Sequence, residues 1–263
     1  MLLPDRTNTP TCMNPSRPGL ASHPSPRWAA DLGLRMRRYL PLKVVGTTVW
    51  TWIFFIGYFH LLREPAGQVT VMPLTALDRW IPFQPPALIA YFSLWVYVGV
   101  APGLQLTFRE LLSYGLWVGA LCLTGLGFFY LWPTQIPTIP KDPTDFPGFA
   151  ILRGVDAAGN ACPSMHVAVA IFTAIWVDHV FSAVRAPIWL RLINAGWFLA
   201  IVYSTLATRQ HVALDAVAGA ALGTAFAIPS LYWRPRPTQS PRAEADIMEM
   251  HGQRVDRGLP RRG

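Results

Sequence analysis

The sequence predicts an all-α, polytopic membrane protein with six transmembrane helices in one bundle. Three observations predict it. Of 263 residues, 52% are hydrophobic and only 14% are charged, whereas roughly a quarter of an average soluble domain is charged. The few charges leave six uninterrupted windows, at 44–62, 80–108, 111–140, 157–177, 192–208 and 216–233. Four of the 11 tryptophans, Trp80, Trp132, Trp189 and Trp233, stand near the ends of the expected spans, where an amphipathic ring favours the membrane interface. This composition excludes a disordered chain, a coiled coil and an ordinary soluble enzyme.

The windows are 19, 29, 30, 21, 17 and 18 residues long, and a helix needs about 20 apolar residues to cross the hydrocarbon core. The two longest windows include loop: Phe83 to Pro86 carries two prolines in one, and Pro133 to Pro140 carries three in the other. The expected spans are Val44–Leu62, Ala87–Phe108, Leu111–Trp132, Ser164–Val184, Leu190–Ala207 and His211–Leu231. They divide the chain into a basic tail over 1–42, a catalytic transmembrane domain over 43–233 and a second basic tail over 234–263. Both tails lack a long apolar run and are expected to be disordered and cytoplasmic.

The cations orient the bundle. With both termini on one side, that side holds 17 of the 22 Lys and Arg residues. Positive charge is retained in the cytoplasm, so both termini are expected there, in a cell membrane. The net charge of +8 then reflects topology and anionic headgroups rather than nucleic acid, which is not expected as a partner. Cys12, Cys122 and Cys162 suggest neither a disulfide framework nor a metal site. No metal and no cofactor are expected.

The first, third and fifth loops therefore face away from the cytoplasm. The third, about Pro133 to Pro163, carries six prolines and is neither helix nor central strand. It ends in Asn160-Ala-Cys-Pro-Ser-Met-His166. Pro163 suits the first turn of a helix, which puts Ser164 and His166 at the outer mouth of the fourth span. The unpaired N–H groups there make an anion site. Equally, Ser164 can simply cap the helix and His166 simply lie at the interface.

The fifth loop leads into Thr208-Arg-Gln-His211-Val-Ala-Leu-Asp215. Asp215 falls clearly inside an expected span, where a carboxylate is costly and usually partnered. Four residues make one helical turn, so Asp215 and His211 are expected to share a face. The carboxylate can accept one imidazole N–H and leave the other nitrogen oriented and nucleophilic. The alternative is a structural Asp–His pair that ties two helices together. Two histidines, one acid and the cations Arg209, Arg153 and Lys141 at one mouth suit phosphate chemistry. A lipid-linked phosphate or phospholipid fits a site entered from the membrane: its tail stays in the bilayer while its headgroup meets the mouth.

These residues resemble the type 2 phosphatidic acid phosphatase superfamily of membrane lipid phosphatases and phosphotransferases. Its Pro-Ser-Gly-His motif is similar to Pro163-Ser164-Met165-His166. Its Ser-Arg, five residues, His, three residues, Asp motif is similar to Ser204-Thr205, His211 and Asp215 at the same spacing. Two departures stand out. Thr205 replaces the family's phosphate-binding arginine, and the first motif, Lys, six residues, Arg-Pro, has no counterpart after Lys141. The forms Cys162-Pro-Ser-Met-His166, Thr208-Arg-Gln-His211 and Tyr130-Leu-Trp-Pro-Thr134 are more similar to the branch with inositol phosphorylceramide synthase and sphingomyelin synthase. The resemblance implies a phosphohistidine nucleophile at His211, an orienting Asp215, a general acid at His166 and a phosphate ligand at Ser164. Arg209 is a candidate by position alone. Three functions stay open: headgroup transfer between lipids, hydrolysis of a lipid phosphate or polyprenyl diphosphate, and a non-enzymatic transporter or scaffold.

Overall fold

The computed structural model describes residues 27–137 and 159–235. The elements are α1 (Arg27–Arg37), α2 (Leu40–Arg63), β1 (Thr70–Val71), α3 (Ala76–Trp80), a 3-10 turn (Pro85–Ala87), α4 (Leu88–Gly103), α5 (Phe108–Leu131), β2 (Thr134–Gln135), α6 (Met165–Ala183), α7 (Ile188–Ala207) and α8 (Ala213–Tyr232). Among the described residues, six helices are long and apolar enough to cross a membrane: α2, α4 with its 3-10 turn, α5, α6, α7 and α8. The protein is an all-α bundle with a single pair of two-residue strands among the described residues.

The six spans fall within a few residues of their expected places, for local reasons. The second ends at Gly103 rather than Phe108, because the chain turns through Leu104–Leu106 and starts α5 with a capping box. Thr107 Oγ1 accepts from the Glu110 backbone N–H at 3.2 Å, and the Glu110 carboxylate accepts from the backbone N–H groups of Leu106 and Thr107 at 2.9 and 3.0 Å. Satisfying the free donors at a helix start lets Glu110 lie buried.

The N-terminal boundary needs correction. Residues 27–37, expected within a disordered tail, form α1, and α2 starts already at Leu40. The reason is an amphipathic face that the search for charge-free windows passes over. Trp28 meets the Trp189 ring edge-on at 6.2 Å, Leu32 packs on the main core cluster, and Met36 lies against Gly103. Arg35 donates to the Leu104 carbonyl at 3.2 Å. An apolar stripe with arginines on the remaining surface suits a helix lying along a membrane face.

Helix α6 is the hub, packing on α8, α7, α4 and α5. The α6–α8 contact is backbone against backbone: a Cβ at Gly219 would overlap the Ser164 carbonyl, and one at Gly223 the Ala168 carbonyl. Small residues of this kind let membrane helices approach closely. Polar side chains add further ties. Tyr97 of α4 donates to Asn194 Oδ1 of α7 at 2.7 Å, and Asn194 Nδ2 donates to the Ala174 carbonyl of α6 at 2.9 Å. Trp176 of α6 donates to Ser230 Oγ of α8 at 2.8 Å.

The first, third and fifth connections meet at one face. Strands β1 and β2 pair in parallel across the first and third. Arg209 of the fifth donates to the carbonyls of Asp78 and Ile81 in the first, at 2.7 and 3.0 Å. The opposite face carries α1 and the α4–α5 connection. The up-and-down order expected from the alternating loops is therefore the order of the bundle.

Candidate active site

Helices α6 and α8 both begin at the face of the odd-numbered connections, and each brings one histidine there. Ser164 is the N-cap of α6, its hydroxyl accepting from the Val167 N–H at 3.4 Å. His166 follows in the first turn. The Tyr91 ring stacks on its imidazole at 4.2 Å between centroids and 20° between planes, and Trp95 approaches edge-on at 5.9 Å.

His211 stands across from it, with ring centroids 6.2 Å apart. Its Nδ1 lies 3.6 Å from Asp215 Oδ2, longer than the roughly 3 Å of a hydrogen bond. The pairing arises differently from the one expected. His211 does not share a helical face with Asp215; it precedes α8, whose N-cap is Val212. Asp215 is the third helical residue and folds back to accept from the Val212 N–H at 3.0 Å. The free donors and positive pole of a helix start explain how a fully buried carboxylate is tolerated there. Among the described residues its Oδ1 has no hydrogen-bond partner, nor has His211 Nδ1 or His166 Nε2. Three buried polar atoms of the neighbouring residues thus stay uncommitted among the described residues, and such atoms in a folded protein call for an explanation.

The backbone fixes this constellation. The Ser164 N–H donates to the Asp215 carbonyl at 3.0 Å, joining the two helix starts directly. Both His211 N–H and Gln210 N–H donate to the Thr205 carbonyl, at 3.1 and 3.0 Å. Asp78 accepts from the Ala213 N–H at 2.7 Å through Oδ1 and from Thr75 through Oδ2. The first connection thereby clamps the start of α8.

The two histidines line one end of a cavity of about 490 Å³, whose walls come mainly from α2, α4, α5 and α6 and are chiefly aromatic and aliphatic. Of the expected site residues, His166, His211 and Asp215 come together. Ser164 is fully buried beside them, with its hydroxyl engaged as a cap. Arg209 is not among the residues lining the cavity, and both its terminal nitrogens are held by backbone carbonyls. Lys141 and Arg153 lie outside the described residues. Thr205, which stands where the family pattern has arginine, is fully buried and donates to the Val202 carbonyl at 2.8 Å.

Sequence reasoning missed Tyr91, Trp95 and Asn160. Tyr91 and Trp95 are one turn apart on α4, so their spacing marks a shared face but not the histidine it meets. Asn160 lines the cavity in a left-handed conformation (φ 52°) and donates to the Tyr58 carbonyl at 3.0 Å. The left-handed region favours asparagine over most side chains, which was the available signal.

Cys162 lies just behind the site and is buried. Burial, and then the charge of Asp215, push its thiol up to about 11. The thiolate is the reactive form, and a raised value keeps it scarce at every pH below that. Alkylation by a maleimide at neutral pH should therefore leave Cys162 unmodified while the protein is folded, as read by peptide mass mapping. Rapid labelling of Cys162 in folded protein would contradict this environment.

Fold and site together define a polytopic helical membrane protein with two histidines and one acid gathered at a single mouth. Residues 112–239 match the PAP2 superfamily. The matched stretch begins in α5 and includes Ser164, His166, Thr205, His211 and Asp215, but neither α2 nor α4. No curated protein and no solved structure matches the chain.

Proposed function

We propose that the chain is a membrane-embedded lipid phosphatase or phosphotransferase working through a phosphohistidine, and that it transfers a headgroup between lipids. The observation that carries this reading is the approach of His166 and His211 to 6.2 Å, with Asp215 behind His211, at the end of an apolar cavity. The PAP2 superfamily match supports phosphatase or phosphotransferase chemistry.

The geometry supports the following steps. Asp215 faces Nδ1 of His211, which leaves Nε2 to attack phosphorus. As the N–P bond forms, the bond from phosphorus to the leaving oxygen breaks, and His166 gives that oxygen a proton. His166 then takes the proton of an incoming hydroxyl, whose oxygen displaces His211 and restores both rings. With water as acceptor the result is hydrolysis; with a lipid alcohol it is transfer. The apolar lining supports an acceptor that arrives from the membrane. The loss of an arginine at Thr205 and the similarity of the motifs to the transferase branch support the same choice. No metal is needed for these steps, so activity should survive chelators. The cation distribution supports both termini in the cytoplasm and a site at the opposite face of a cell membrane.

Labelled phospholipid incubated with the purified chain and a lipid alcohol tests the reading. The expected product is a new phosphodiester lipid. Release of free phosphate alone, from a lipid phosphate or a polyprenyl diphosphate, would replace transfer by hydrolysis. Absence of any product across these substrates would leave a transporter or scaffold.

A further inference from the structure

The cavity continues far beyond the histidines. Leu42, Gly46, Trp50, Phe54 and Tyr58 all line it. They recur every four residues, a single stripe along α2. At about 1.5 Å per residue the stripe is about 24 Å long, against the roughly 15 Å of one leaflet's hydrocarbon. Helix α5 supplies part of the facing wall, through Phe108, Leu112, Gly115 and Tyr114 among others. At the end remote from the histidines stands Lys43, 4% exposed, its ammonium donating to the Arg35 and Gly103 carbonyls at 2.7 Å each. This clamp joins α1, α2 and α4 and sets a charged group at the foot of an apolar cavity. Water would find few partners along such a lining, whereas a hydrocarbon chain would lose its contact with the surroundings at no polar cost.

We propose that this cavity is a slot for the hydrocarbon tail of the substrate, which runs inside the bundle from the histidine pair towards Lys43. The proposal rests on the lipid-phosphate reading above and departs from a tail that stays in the bilayer. The slot makes the protein sensitive to tail length: a tail that fills it gains contacts along all of α2, and a short one leaves the Lys43 end vacant.

Two glycines allow a direct test. Gly46 and Gly115 both line the cavity, and a Cβ at either would meet nothing within 4 Å. Phenylalanine at either position therefore enters the slot rather than a packed interface. Gly46 lies one turn inside Leu42, so Gly46→Phe should shorten the slot by about 6 Å. Binding of octyl phosphate and hexadecyl phosphate to the purified full chain would be measured by native mass spectrometry, with phosphate release or transfer measured in parallel. The wild type should prefer the longer probe, and in both Gly46→Phe and Gly115→Phe the preference ratio should fall by about tenfold or more, as expected when several methylenes lose their burial. An unchanged ratio in both variants, or an equal loss of both probes in both, would overturn the slot. The two readings separate cleanly. Wild type that turns over neither probe nor a natural phospholipid, yet keeps the length-dependent binding, would sink the enzymatic reading and support the slot. Turnover with an unchanged preference in both variants would do the reverse.

Discussion

His211→Ala should abolish turnover, with a fall of at least about 10³-fold, while the protein still inserts and folds. A nucleophile that forms a covalent intermediate cannot be bypassed by its neighbours, and loss of such a group removes most of the catalysis. His211 lies in a connection before α8, its side chain is 10% exposed, and its imidazole Nδ1 makes no hydrogen bond among the described residues, so little structural support goes with it. The backbone N–H that ties it to Thr205 is kept by alanine. Radiolabel from a phosphate-labelled lipid should remain on the denatured wild-type chain under alkaline conditions and be lost in acid, as a phosphoramidate bond requires. The variant should carry none. A labelled, active His211→Ala protein would refute the nucleophile assignment.

Gly219→Val should be damaging in a second way, without touching any reacting group. A Cβ at Gly219 would run into the Ser164 carbonyl and the Ala168 backbone N–H. These are backbone atoms, which cannot swing aside, so α8 must move off α6. Overpacking of this sort costs about 1–3 kcal/mol. The more telling loss is in activity. His166 follows Ser164 on α6, and Asp215 lies one turn before Gly219 on α8, so separating the helices separates the site. A displacement of an ångström can cost about 10²-fold in rate. The expected result is a lowered unfolding midpoint in detergent together with a severe loss of turnover. Gly196→Val on α7, where a Cβ would meet nothing within 4 Å, is the matched control and should keep both. Wild-type activity in Gly219→Val would show that the α6–α8 contact does not set the site.

Much of the bundle was legible in the sequence, because a charge in hydrocarbon is costly wherever it falls. The helix α1 was not, since its arginines break every charge-free window while its apolar stripe still packs. The proximity of His166, His211 and Asp215 was legible through their spacing, yet the reason offered for one pair was incomplete. His211 and Asp215 meet because Asp215 folds back on the start of α8, a local geometry that residue spacing does not distinguish from a turn of helix. Arg209 looked like a phosphate ligand from its place beside His211. Its side chain instead straps the first connection, a contact with residues far away in the chain.

The sequence by itself determined the six spans, their alternation and the residue types available for chemistry. Each of these follows from free energies that act along a single stretch of chain: desolvation of charge, helix length against bilayer thickness, and capping of helix ends. Only the tertiary structure decided that His166 and His211 face each other, that Tyr91 covers one of them, and that an apolar slot leads from both towards Lys43. Those outcomes depend on how closely α6 and α8 approach and on which face α2 turns inward. Both are set by packing between segments distant in sequence, where a glycine opposite a carbonyl matters more than any local preference.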